Sequence, residues 1–194
     1  MKQRLDELLV KKGLAKTRSQ AKLLIKEGAV LINDVIAKKP STASDETDEI
    51  IVTKEDSYVS RGAYKLKGAI EKFQIDPQEK VIADVGASTG GFTDYLLQNG
   101  AEKIYAIDVG SGQLDSKIKH DSRVINMENT NIRDLNELPE KVDLAVIDLS
   151  YISLKLALPN VKNFLKPEGQ IVALIKPQFE AGKGNVPKDG VIKD

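Results

Sequence analysis

The chain has 194 residues, with 29 basic and 29 acidic side chains and no cysteine. Zero formal charge excludes a molecule that is basic throughout, so a case for nucleic acid has to be made locally. The lack of cysteine excludes disulfides, thiolate metal sites and cysteine nucleophiles; a single His120 builds no metal cluster alone, so no metal is expected and an intracellular protein is the natural reading.

The opening MKQRLDELLVKKG has no apolar core flanked by a cleavage site, and runs such as IVALI fall far short of a membrane span. The expectation is therefore a cytoplasmic protein with no membrane partner. RLDELLVKKG puts Leu5, Leu8 and Leu9 on one face of a short helix. TRSQAKLLIKEG opens with Thr17 and Gln20 at capping-box spacing, ends at Gly28, and shows Ala21, Leu24 and Ile25 as its apolar face. AVLIN and EIIVT read as strands joined by the turn-rich KKPSTASDETD. Residues 1–56 thus form a small α+β module. Up to Pro40 it holds ten basic residues against four acidic ones, and Arg18, Lys22 and Lys26 recur every four residues along the second helix. Such a stripe suits a phosphate backbone; the charges alone fit a solvated helix face equally well.

RLDELLVKKGLAKTRSQAKLLIKEGAVLIN, followed by KKP and DEIIV, resembles the S4 RNA-binding domain. The resemblance implies RNA contacts from Arg4, Lys16, Arg18, Lys22 and Lys26. Asn33-Asp34 stands where that family usually has Asn-Gly, so the hairpin there is expected to differ slightly.

Residues 57–194 change pattern. A helix over SRGAYKLKGAIEKF presents Leu66, Ile70 and Phe73. Strands follow at KVIADV, KIYAID, RVINM, DLAVID and QIVALIK, separated by helical stretches at GFTDYLLQN, QLDSKIK and SLKLALPNVKNFL. Apolar strands alternating with helices imply an α/β, doubly wound, Rossmann-like parallel sheet. Ligands of such sheets lie beyond the carboxyl ends of the strands, where strand order reverses.

The turn DVGASTGG has three candidate ligands. A phosphate-cradling P-loop needs a lysine that is absent here, and Asp84 would repel phosphate. A dinucleotide fingerprint needs a second glycine where Ser88 stands. S-adenosylmethionine is cationic and has no phosphate, so an acid before the turn attracts it; this ligand fits best. The candidate contacts are Asp84, Gly86, Ala87, Ser88, Thr89, Gly90, Gly91 and Phe92, with Asp108 for the ribose hydroxyls and Asn129 or Asn131 for the adenine edge. Both asparagines fit plain turns equally well.

Asp148 and Lys176 end two later strands, and Lys65 lies on the preceding helix. Singly, Asp148 could cap a helix and the lysines could be surface residues. Together, SRGAYKL, DVGASTGGFTDYLL, DLAVIDLSYISL and ALIKPQFEAGK, behind an S4-like module, closely resemble the TlyA or hemolysin-A type family within the FtsJ-like ribosomal RNA 2′-O-methyltransferases. That family uses a Lys-Asp-Lys-Glu tetrad. The resemblance places its first three members on Lys65, Asp148 and Lys176, with the glutamate falling past Asp194. A lysine near a second ammonium and partly desolvated has a lowered pKa and can act as general base. Lys176 takes that role, Asp148 orients it, and Lys65 holds the hydroxyl or a nearby phosphate. The sheet of this family has seven strands, of which five are placed, so an incomplete sheet with an open edge is expected. The implied partner is ribosomal RNA or a ribosomal subunit, with oligomeric state open. Two other readings stand beside the enzyme: a non-catalytic ribosome-assembly factor, and a cytolysin suggested only by the hemolysin label.

Overall fold

Three leucines at helical spacing and a capped second helix need a common partner surface, and they find it in each other. The computed structural model describes residues 2–52, 58–182, 184, 186, 187 and 192. The chain divides into two compact units, Met1–Ser57 and Tyr58–Asp194.

In the first unit α1 (Leu5–Lys11) packs on α2 (Arg18–Lys26) through Leu5, Leu9, Ala21, Leu24 and Ile25. Thr17 caps α2, its hydroxyl accepting the Gln20 N–H at 3.2 Å. Before α1, β1 (Gln3–Arg4) pairs antiparallel with β4 (Ala43–Ser44). β2 (Val30–Ile32) stands between β3 (Val35–Ile36) and β5 (Ile50–Val52), both antiparallel to it. Two of these short strands, β1 and β4, and the hairpin strand β3 lie outside the sequence expectation, because two-residue strands carry too little periodicity to be read. Asn33 (φ 48°) and Asp34 (φ 64°) both adopt the left-handed region, the form of a two-residue hairpin turn. Asp thus takes the conformation that Gly usually supplies. Asn33 secures it: its side chain donates to Asp48 at 3.1 Å and accepts the Glu49 N–H at 3.0 Å.

The second unit is a five-stranded parallel sheet. Its strands are β6 (Val81–Val85), β7 (Lys103–Ile107), β8 (Val124–Met127), β9 (Val142–Ile147) and β10 (Leu165–Ala173), in spatial order β10-β9-β6-β7-β8. Alternate residues along each strand serve opposite faces. Ile82, Ile104, Leu144 and Val146 pack against α3 (Gly62–Phe73), α4 (Gly91–Gln98) and α5 (Ser116–Lys119). Val81, Val85, Ile107 and Ile147 pack against α6 (Leu154–Phe164), whose Phe164 is wholly buried. Burying a ring of that size contributes roughly 1.5–3 kcal/mol.

Three expectations need correction. Phe73 does not join the α3 core face: it is 68% exposed, and Ala63, Leu66 and Ile70 form that face. The helix ends there with Gln74 left-handed (φ 54°), and Ile75 folds back onto the core in its place, its N–H reaching the Ile70 carbonyl at 3.1 Å. The helix expected over QLDSKIK is confined to α5, because Glu128 takes the Gln113 and Leu114 N–H groups and holds that stretch out of the helix. The last strand ends at Ala173 and not at Lys176.

Candidate active site

The chain runs outward from β6 through β7 to β8 and returns on the other side of β6 as β9. The reversal therefore lies between β6 and β9, and their register brings their tips level: Val85 pairs with Ile147 on one side and with Ile107 on the other. The next residue in each chain, Gly86, Asp108 and Asp148, emerges at one rim. Gly86 sits at φ 88°, and a Cβ there would stand 2.8 Å from the Asp148 carbonyl oxygen. Only glycine lets the two tips approach so closely. At Gly91 a Cβ would meet Ser60 Oγ at 2.2 Å, so this glycine lets α4 start against the segment that leads into α3.

Two recesses open on either side of the Gly-rich turn. The larger, about 400 Å³, is lined among others by Val85, Ile107, Asp108, Asn131, Ile132 and Tyr151. The smaller, about 260 Å³, is lined among others by Ser60, Lys65, Thr89, Phe92 and Lys176. Gly86, Ser88, Asp148 and Ser150 line both. Asp108 receives two backbone N–H groups, from Ser88 at 2.8 Å and from Gly110 at 2.7 Å, so each oxygen has a fixed direction. Asn131 faces the larger recess, and its Oδ1 accepts the Arg133 N–H at 3.1 Å. Asn129 lies outside both recesses in a left-handed turn (φ 58°), its N–H on the Gly110 carbonyl at 2.8 Å. Ala87, Gly90 and Phe92 are buried beneath the turn, while Ser88 and Thr89 are exposed on it.

Asp84 is wholly buried and opens onto neither recess. Its Oδ2 accepts the Thr93 hydroxyl at 2.6 Å, and Oδ1 has no hydrogen-bond partner among the described residues. Burial pushes this carboxyl up to about 7, against the Thr93 bonds that pull it down.

The three residues of the supposed tetrad meet. Lys176 Nζ stands 2.6 Å from Asp148 Oδ1, and Lys65 Nζ stands 2.9 Å from Oδ2. Lys176 also donates to the Ser150 hydroxyl at 2.8 Å. Burial pushes the Asp148 carboxyl up, but hydrogen bonds and charge from Lys176 and Lys65 outweigh it and hold it below its usual value. Lys65 is half exposed, whereas Lys176 and Asp148 are largely covered. Tyr151, 89% exposed at φ 68°, stands at the rim with its ring 5.3 Å from that of Phe179. Sequence reasoning passed over Ser150 and Glu180. The signal was present: KPQFE sets a proline at the start of a one-turn helix, α7 (Pro177–Glu180), directly after the lysine.

In the first unit the candidate RNA contacts divide. Arg4 Nε lies 2.9 Å and Arg18 Nη2 3.3 Å from the buried Asp6 carboxylate, which the Arg4 hydrogen bond keeps below its usual range despite burial. Arg18 also reaches Glu7 at 3.1 Å. Lys22 and Lys26 are exposed and form no ion pair among the described residues. Lys16 is exposed beside them, its backbone N–H held by Gln20.

The rim tests well against S-adenosylmethionine. An elongated molecule with an adenosine end and a charged methionyl end needs two connected recesses and a backbone that it can touch. The Gly86 approach, the twin N–H-bound Asp108 and the shared wall at Ser88 and Asp148 supply these. No helix among the described residues is long and apolar enough to cross a membrane, and no described group of His, Asp and Glu could hold a metal.

Comparison with known proteins gives consistent similarities. The model of the FtsJ-like methyltransferases matches residues 58–194, and that of the S4 domain matches residues 3–50. The chain is 48% identical over 197 residues to the 16S/23S rRNA (cytidine-2′-O)-methyltransferase TlyA of Mycobacterium tuberculosis, covering 98% of this chain and 73% of that one. It is 41% identical to Hemolysin A of Brachyspira hyodysenteriae over 98% of this chain and 81% of the other. A solved structure of a protein assigned as a hemolysin from Streptococcus thermophilus superposes with a TM-score of 0.69 at 41% identity, over 100% of this chain and 72% of that one.

Proposed function

The chain belongs to the FtsJ-like methyltransferase family, with an S4 domain in front, and from that premise we propose that it methylates the 2′-hydroxyl of a ribose in ribosomal RNA. S-adenosylmethionine is its cofactor; when bound it supplies an electrophilic methyl group and leaves as a neutral thioether. The observation that carries the reading is the Lys65–Asp148–Lys176 cluster on the rim that Gly86 shares.

Each residue has work suited to its place. Lys176, ion-paired with Asp148, would first release a proton to solvent, and its Nζ would then take the proton of the ribose hydroxyl. Asp148 and Ser150 hold Nζ in line, at 2.6 and 2.8 Å. Lys65, the more exposed ammonium, holds the incoming hydroxyl or the adjoining phosphate. Asp108 would accept the adenosine hydroxyls, Asn131 would meet the adenine edge, and the backbone from Gly86 to Gly91 would hold the methionyl end. Base catalysis of this kind is worth about 10²–10⁴-fold, and in-line positioning adds to it. Tyr151 and Phe179 offer an aromatic ledge for the base of the target nucleotide. The S4 unit grips RNA through Lys16, Lys22 and Lys26, with Arg4 and Arg18 steadied by Asp6. A substrate of ribosomal subunits places the protein in the cytoplasm.

Incubating purified ribosomal subunits with the protein and methyl-labelled S-adenosylmethionine tests this directly. The expected result is label on one ribose, resistant to alkaline cleavage at its 3′ side. Cofactor and RNA binding without transfer would leave an assembly factor instead. The hemolysin names of some relatives make leakage of dye-loaded liposomes the third arm, with no leakage expected.

A further inference from the structure

Lys176 stands outside the sheet that is meant to aim it. β10 ends at Ala173, and the final ladder bond runs from the Leu174 N–H to the Ile147 carbonyl at 2.8 Å. Ile175 beyond it is 68% exposed and anchors nothing. The chain is fixed again only in α7, where Phe179 N–H bonds the Lys176 carbonyl at 2.8 Å and Ala181 N–H bonds that of Pro177 at 2.9 Å. That turn makes Lys176 and Glu180 two ends of one short rigid piece.

Glu180 fastens this piece to the rest of the rim. Its Oε1 accepts the Leu154 N–H at 2.8 Å and its Oε2 accepts the Ser153 hydroxyl at 2.6 Å. Both donors stand at the start of α6, where backbone N–H groups lack helical partners and a carboxylate is favoured. The same bonds hold the Glu180 carboxyl below its usual range. Ser153 already caps α6 by accepting the Lys155 N–H at 3.1 Å. Glu180 is thus not needed to start the helix; what its two bonds add is a link between the loop after β9 and the turn after Lys176. Asp148, Ser150 and Tyr151 lie on that loop, and Lys176 and Phe179 lie on that turn.

We infer that Glu180 is a positioning residue for Lys176, locking the lysine-bearing turn onto the loop that carries Asp148 without touching the reacting atoms itself. The inference rests on Lys176 being the residue that takes the hydroxyl proton. It explains why the ammonium keeps its place three residues beyond the last strand: the turn is held at both ends, by Asp148 and Ser150 at one and by α6 at the other.

The test uses Glu180→Ala and Glu180→Gln in the full chain, with kcat and the KM for S-adenosylmethionine measured on ribosomal subunits. A lysine displaced by about an ångström loses rate and not cofactor, so E180A should lower kcat about 10- to 100-fold with KM unchanged. E180Q keeps an oxygen for the Leu154 N–H and an amide for the Ser153 hydroxyl, and should stay within about threefold of the wild type. Wild-type kcat in E180A, or E180Q as slow as E180A, overturns the inference; so does an equal loss of cofactor affinity and melting temperature in E180A, the mark of a merely structural role. Nitrogen-15 spectra of the Lys176 side chain give an independent readout. If the wild type transfers no methyl to RNA, the proposed function fails, and the spectra still decide: a shifted Lys176 resonance in E180A supports the link to Glu180, and an unmoved one overturns it.

Discussion

The two units hold their charge in opposite ways. In the sheet unit three charged side chains meet within 2.9 Å: strand register and the Gly86 approach set Asp148, while Lys65 comes from α3 and Lys176 from the turn after β10. In the S4 unit the positive charge lies along an exposed helix, and two of its five candidate contacts already share the buried Asp6. A site built from backbone geometry concentrates function in a few positions; a charged surface divides it among many. Substitutions in the sheet should therefore act as near-complete losses, and substitutions on α2 as small, additive ones.

The largest expected effect is at Lys176. Lys176→Ala should lower methyl transfer about 10²–10⁴-fold while calorimetric titration finds cofactor affinity unchanged. Unchanged turnover would remove the lysine from its role and the concentration argument with it. Next comes Gly86→Val. A side chain at φ 88°, facing the Asp148 carbonyl at 2.8 Å, strains the backbone and parts the two tips. About 3 kcal/mol should be lost in denaturant unfolding, together with cofactor binding.

Asp84 sharpens the comparison through pH. Its carboxyl is raised to about 7 in the folded protein, above the ordinary value of 3.8. The native state keeps a proton that the unfolded chain releases, so this contribution to stability is full at low pH and is lost as pH rises through about 7. The slope is at most about 1.4 kcal/mol per pH unit. Asp84→Asn imitates the protonated form and removes this component. Urea unfolding should show the variant gaining on the wild type from about pH 4 to about pH 7 and holding a constant difference above. A flat difference would mean that the group is ionised throughout. Asp6 moves the opposite way: held below its usual range by Arg4 and Arg18, it stabilises at neutral pH and loses that effect under acid.

What the residues alone disclosed follows the same division. The five strands and most of their flanking helices were legible because apolar periodicity acts over long runs; the meeting of Lys65, Asp148 and Lys176 was implied only by the family resemblance. Phe73 misled because helical spacing marks a face without saying where the core beneath it stops; the left-handed Gln74 sends Ile75 into the core instead. Lys176 looked like a strand end because the IVALI before it is apolar throughout, and only the pairing with β9 shows the ladder stopping at Ala173. In the S4 unit Arg4 and Arg18 read as free charges. Arg4 meets Asp6 two residues along the chain, whereas the tie of Arg18 to Asp6 depends on the packing of α1 on α2, which no local pattern states.

The smallest effects belong to Lys22 and Lys26, and they decide whether α2 is a phosphate-binding face at all. Each neutralised phosphate releases about 0.7 counterion from single-stranded RNA. Lys22→Ala and Lys26→Ala, exposed and unpaired among the described residues, should each flatten the slope of log affinity against log salt by about that amount. Arg18→Ala should flatten it less, because its guanidinium spends part of its charge on Asp6 and Glu7. Binding of ribosomal RNA fragments by filter retention across a range of salt concentrations measures all three. Equal slopes in wild type and both lysine variants would make the helix an ordinary solvated face, and the S4 unit would then have to hold RNA elsewhere.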